Sequence, residues 1–200
     1  MKKGALLLAC GALAKELVAI QRQNGWDHVK IQCLPAELHN TPDRIPAAVD
    51  SAIEEYKKDY QHVFVAYADC GTGGQLDKVL EKHGVGRLPG AHCYEFFAGS
   101  DAFAALADEE PGTFYLTDFL ARHFDRLVIE GLGLDRHPAL KAEYFGNYQK
   151  LVYLSQVPDE QLAEKARRHA DFLGLAYESV ETGLGPVGKH LKEQVVQWQR

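Results

Sequence analysis

Apolar and polar positions follow two rhythms along this chain. Residues 4–10 form a continuous apolar run centred on Ala5-Leu6-Leu7-Leu8-Ala9, which predicts a strand buried on both faces. Leu13, Leu17, Val18 and Ile20 then recur at helical spacing and predict a helix over 12–24, stopped by Asn24-Gly25. Residues 29–34 predict a second strand. Residues 42–58 predict an amphipathic helix with Ile45, Val49, Ala52, Ile53 and Tyr56 on one face. Its Pro42 and Pro46 fall in or near the first turn, where proline is tolerated. Residues 63–68 predict a third apolar strand, and Gly71-Thr72-Gly73-Gly74 a turn opening a helix over 75–83.

The alternation continues less regularly. Residues 90–95 predict a short strand or loop, 100–109 a helix and 113–117 a strand. Residues 118–145 read as mostly helical, broken at Gly131-Leu132-Gly133. A strand over 151–157 precedes a helix started by Pro158-Asp159, with Leu162, Ala166, Ala170 and Leu173 aligned. Residues 175–180 predict a last strand and 186–198 a last helix. Strands alternating with such helices argue for an α/β fold: a three-layer, mostly parallel, doubly wound (Rossmann-like) sheet with helices on both faces. No linker divides the chain, so residues 1–200 read as a single α/β domain, with two pseudo-repeated βαβ halves as a variant of that reading.

Composition narrows the partners. With 200 residues the chain can bury one sizeable core or two tight halves. A net charge of −6 and the lack of a basic stripe argue against nucleic acid. No apolar run approaches the roughly 20 residues that span a bilayer. Met1-Lys2-Lys3 and the run ending Leu7-Leu8-Ala9-Cys10 imitate a lipoprotein signal. A secretory signal needs an apolar stretch of about 7–15 residues. The run here is shorter, and a helical pattern follows it at once. The expectation is a first strand and helix of a cytoplasmic protein, whose four cysteines are not structural disulfides. No C-x-x-C is present, so thioredoxin-like and zinc-knuckle patterns are missing.

The cysteines nevertheless repeat. Cys10-Gly11 is followed by Cys33 at the same interval at which Cys70-Gly71 is followed by Cys93. All four lie at or near predicted strand ends, where open α/β sheets put their sites. Cys33 lacks the glycine turn of Cys10 and Cys70 and the polar companions of Cys93, and reads as a small buried hydrophobe. Cys10, Cys70 and Cys93 read as metal ligands, since three thiolates with one open position suit a catalytic zinc or a site-differentiated iron–sulfur cluster. Gly90-Ala91-His92-Cys93-Tyr94-Glu95 is the densest chemical cluster. In an extended strand Cys93 and Glu95 share a face; His92 and Cys93 share a metal only in a turn. His92, Glu95 and His39 are the candidates for fourth ligand or acid/base. The backbone of Gly71, Thr72, Gly73 and Gly74 is a candidate cofactor cradle, because glycines opening a helix let N–H groups approach an anion. Asp118 and Arg122 stand at i, i+4, and such a pair on a solvated helix face is worth only about 0.2–0.5 kcal/mol.

Ala9-Cys10-Gly11-Ala12, Leu38-His39-Asn40, Asp69-Cys70-Gly71-Thr72-Gly73-Gly74, His92-Cys93-Tyr94-Glu95-Phe96, the stretch from Pro111 to Phe119, and Gly146-Asn147-Tyr148 together resemble the family DUF1638. The resemblance spans about 5–180 and carries no established activity. Its members tend to be encoded beside corrinoid proteins and corrinoid-dependent methyltransferases. The resemblance therefore implies a place in one-carbon metabolism, a corrinoid protein or methyltransferase as partner, and a corrinoid as a further ligand.

The leading expectation is a zinc-thiolate protein of corrinoid-linked methyl transfer, a metal-dependent methyltransferase or related transferase acting on a small-molecule ligand. Three rivals stand beside it: an iron–sulfur protein of redox or ligand-binding role, a non-enzymatic partner or chaperone of a corrinoid protein, and a cysteine-nucleophile transferase using Cys70 with His92.

Overall fold

Lys3–Cys10 forms the first strand, β1, in a computed structural model that describes residues 2–198. It is buried from Ala5 through Ala9, as its unbroken apolar run requires. β2 (Val29–Leu34) and β3 (Tyr60–Ala66) pair with its two edges, both in parallel. A two-residue strand, β4 (Gly86–Arg87), adds to the far edge of β3. The order β2-β1-β3-β4 means that the chain moves outward from β1 to β2, then crosses back to β3. The order in which strands are added reverses between β1 and β3, and ligands of α/β sheets bind outside the carboxyl ends of strands at such a point.

Three helices follow these strands: α1 (Ala14–Gln23), α2 (Ile45–Tyr56) and α3 (Gln75–His83). Leu6 and Leu8 of β1 and Val65 of β3 form one core with Ile45, Val49 and Ile53 of α2 and Leu76 and Leu80 of α3. Ala5, Leu7 and Ala9 alternate onto the opposite face and are equally buried. The helix that opens on Cys93–Ala98, α4, stands where residues 90–95 predict a strand or loop. The reason is tertiary. The Gly90 and Ala91 carbonyls accept from the backbone N–H groups of Asp69 and Cys70, and the Glu95 carboxylate accepts from Ala91 N. The turn this makes feeds a helix.

Residues group into two compact units, one up to Phe96 plus Val187 onward and the other Phe97–Pro186. In the second, β5 (Thr113–Thr117), β6 (Lys150–Ser155) and β7 (Ala176–Glu181) form a parallel sheet in sequence order. It carries α5 (Ser100–Glu109), α6 (Asp118–Arg122), α7 (Leu140–Phe145) and α8 (Glu160–Leu173), with a π-helical turn at Asp125–Glu130. The Asp159 side chain caps α8 by accepting from Leu162 N at 3.0 Å. A last helix, α9 (Gly185–Trp198), buries Val187, Leu191 and Val195 at fourfold spacing. The α/β class and the parallel pairing hold, and the strands occupy two sheets rather than one. Among the described residues no helix is long and apolar enough to cross a membrane.

Asp118 is 1% exposed, so its pairing with Arg122 is not that of a solvated helix face. Its carboxylate accepts from the Tyr153 hydroxyl at 2.7 Å, Gln156 N at 3.1 Å and Val157 N at 3.2 Å. Its own N–H donates to Gln156 Oε1 at 2.7 Å. One side chain thus fastens the end of β5 to the end of β6.

His169 of α8 makes the second unit pH-sensitive. Its ring stacks on Phe124, centroids 4.0 Å apart, and Nε2 donates to the Ala121 carbonyl at 3.1 Å. Burial holds its pKa below the usual imidazole value, against a smaller opposing effect of that hydrogen bond. Below about pH 6.5, histidine's ordinary value, the unfolded chain takes up a proton that the folded one resists. Stability is therefore complete above that pH and falls as the pH drops toward the folded value. Thermal melts are expected to show lower midpoints at pH 5.5 than at 7.5, and His169→Gln to shallow that slope. An unchanged slope in the variant would remove His169 as the cause.

Candidate functional site

The fold brings Cys10, Cys70 and Cys93 to the carboxyl end of the β1–β3 pair. Cys10 is the last residue of β1 and stands opposite Leu34 in β2. Its side chain joins the core shared by Leu6, Leu8 and α2. Cys33 pairs with Ala9, one register step away, so it points to the other face of the sheet. Cys70 follows β3 in the loop to α3. Its φ of 51° is the one positive value at a non-glycine residue among those described. The hydrogen bond from Cys70 N to the Ala91 carbonyl, at 2.8 Å, helps hold it there.

The glycine loop after Cys70 serves a different purpose from the expected cofactor cradle. The Asp69 carboxylate accepts from the Thr72 hydroxyl at 2.7 Å, Gly74 N at 2.8 Å and Gly73 N at 3.0 Å. These bonds, that from Thr72 above all, hold the Asp69 carboxyl below its usual range. An internal anion thus occupies donors that a phosphate would use. Gly71, Gly73 and Gly74 have φ of 82°, 59° and 79°, so the loop needs glycine for its path alone. Arg87 steadies the facing segment, bonding Asp77 of α3 at 2.6 Å and the Leu88 carbonyl at 2.8 Å.

Cys93 opens α4, and its thiol donates to the Cys70 sulfur. That hydrogen bond pulls the Cys70 pKa below the ordinary thiol value and pushes that of Cys93 well above it; burial adds to the rise at Cys93. Burial pushes the Cys10 thiol up to about 11, against the lowering effect of the Ala12 backbone N–H. All four cysteines are free.

Two chambers meet at these thiols. The inner one, about 20 Å³, is lined by Cys10, Tyr67, Cys70, Cys93, His39 and Ile45 with Ala12 and Leu13. The outer one, about 230 Å³, is lined by His39, Cys70, His92, Cys93 and Tyr94. His39, from the short helical turn after β2, faces both. Burial lowers its pKa and His92 adds repulsion, which favours a neutral imidazole. The turn before α4 puts His92 and Cys93 on one cavity, the arrangement a strand forbids.

Glu95 departs from expectation. Inside α4 it no longer shares a face with Cys93 but folds back onto the Gly90-Ala91 turn, and it lines neither chamber. A side chain at Gly90 would collide with its carboxylate. Tyr67 was not singled out by sequence, because its ring ends an apolar strand run. The one polar atom on that run was the available signal. Among the described residues, Asp50, Glu54 and His83 are the group whose ligand atoms all lie within 4.8 Å of one another. Lys82 bonds Asp50 at 3.0 Å and already balances that charge. The sulfurs of Cys10, Cys70 and Cys93 do not all lie within that limit of one another.

A parallel α/β sheet with a thiol-lined cavity at its switch point defines the class of protein. The DUF1638 family profile, described as a protein of unknown function, matches residues 33–191, and the chain belongs to that family. The matched span includes His39, Cys70, His92 and Cys93 and begins after Cys10. No curated protein and no solved structure matches the chain.

Proposed function

We propose that the inner chamber is a zinc-thiolate centre with Cys10, Cys70 and Cys93 as ligands and the outer chamber the entry for a small-molecule substrate. The observation that carries this reading is the convergence of three free thiols and the His39 imidazole on a cavity of about 20 Å³. That is room for about one small bound species, the scale of a single ion or water molecule. The donor set is the soft one that zinc takes, and tetrahedral zinc holds sulfur at about 2.3 Å. Loading would draw the sulfurs closer together. His39 is the fourth ligand that best fits, since its ring faces both chambers, and His92 remains as an acid/base on the substrate side. Zinc bound here would supply Lewis acidity and a docking point for a soft donor.

The resemblance to proteins encoded beside corrinoid methyltransferases supports methyl transfer as the chemistry, with a thiol as methyl acceptor and a corrinoid protein as partner. Reduced thiols fit a cytoplasmic setting. The test is elemental analysis of the protein purified under reducing conditions and after exposure to zinc. About one zinc per chain is expected. No bound metal and four freely alkylated thiols would overturn the reading, and a brown protein holding iron and sulfide would replace zinc by a cluster.

A further inference from the structure

Tyr67 extends β3 into the site and is 1% exposed. Its ring packs in the core with Leu6, Leu8 and Val65. Phenylalanine would fill that space as well, so packing leaves the hydroxyl unexplained. The hydroxyl is buried and makes no hydrogen bond of good geometry; the neighbour it leans on is the Cys10 thiol. Such groups are rare and costly, and each calls for an explanation. The ring lines the inner chamber beside Cys10, Cys70 and Cys93, and the charge of Cys10 acts on it more strongly than that of any other residue. A neutral thiol is a weak acceptor. A metal-bound thiolate is a strong one, and donors to such sulfurs tune metal centres.

We infer that Tyr67 is the built-in hydrogen-bond donor to the Cys10 thiolate of the metal-loaded site, its contact with the neutral thiol becoming a strong bond when Cys10 is a metal-bound thiolate. This rests on the metal-thiolate reading. Tyr67 is a positioning residue: it acts on the metal through Cys10. The bond fixes the sulfur's orientation and withdraws some of its electron density.

The test is cobalt(II) titration of full-length wild type and Tyr67→Phe, read by thiolate-to-cobalt charge-transfer absorption, with zinc competition for affinity. The variant is expected to bind about 10–100-fold more weakly. Its charge-transfer band should move to lower energy, because the sulfur has lost a donor. The metal-free variant should melt no lower than metal-free wild type, since it sheds a buried hydroxyl held only by a weak acceptor. Equal affinity with an unmoved band overturns the inference and leaves the metal reading intact. Weaker binding with an unmoved band marks a packing effect and also overturns it. A wild type that takes up no cobalt overturns both.

Discussion

Asp118→Ala is expected to cost the Phe97–Pro186 unit about 3–5 kcal/mol, the range for removing one partner of a buried, hydrogen-bonded charge. The carboxylate serves the Tyr153 hydroxyl and two backbone N–H groups, and its truncation leaves two buried donors, and the part-buried one of Val157, without it. Unsatisfied buried groups cost about 1–3 kcal/mol each, so the two buried donors together reach that range, while water can serve Val157 N. Arg122 adds little to this sum. Its guanidinium is 3.6 Å away and its side chain 27% exposed, so solvent screens the pair. Asp118→Asn keeps one acceptor and should lose about half as much. Tyr153→Phe removes a single donor and should lose about 1 kcal/mol. Urea unfolding followed by far-ultraviolet circular dichroism measures all three. A loss under about 1 kcal/mol for the alanine variant would show that the strand ends do not depend on this side chain.

How far the sequence reached is visible in these same residues. Helix α3 and strand β5 match their expected bounds, because a glycine turn or a clean change of period marks each end. Asp118 looked like half of a helical ion pair. Its partners Gln156 and Val157 lie far along the chain, and no local pattern announces them. At residues 90–95 the loop alternative holds up to His92 and gives way to helix at Cys93, for a similar reason. Adjacent histidine, cysteine, tyrosine and glutamate fit a strand, but the Gly90 and Ala91 carbonyls are claimed by Asp69 and Cys70. Those two tertiary bonds turned the segment into a helix start, moved Glu95 away from the thiols and put His92 and Cys93 on one cavity. The glycine loop showed where an anion would sit, yet not that Asp69 supplies it. The gathering of Cys10, Cys70 and Cys93 was legible, since parallel strands deliver their carboxyl ends to one side. The division into two sheets was not, because β4 is only two residues long.

That gathering separates the cysteines sharply enough to test. Cys10→Ser, Cys70→Ser and Cys93→Ser should each weaken cobalt or zinc binding by more than the roughly hundredfold that a change in the outer shell of a metal site costs. Cys33→Ser should leave it unchanged. Cys33 is the natural control, because it shares the strand-end position and a half-buried setting with Cys10 but faces the other side of the sheet. If the thiols mattered only as packing, the four variants would lose stability to similar extents and metal binding would not single out three. Thermal melts of the metal-free variants keep the two cases apart: serine is close in size, and folded variants should retain cooperative transitions. The structure also orders the three. Cys70 and Cys93 share both chambers, whereas Cys10 lines only the inner one. Loss of Cys70 or Cys93 removes a group that borders both metal and substrate, so it should also abolish protection of the remaining thiols from alkylation by added zinc. Loss of Cys10 should leave partial protection, with the metal held by the pair. Protection that survives equally in all three variants would show that the thiols do not act on one ion, whatever their proximity.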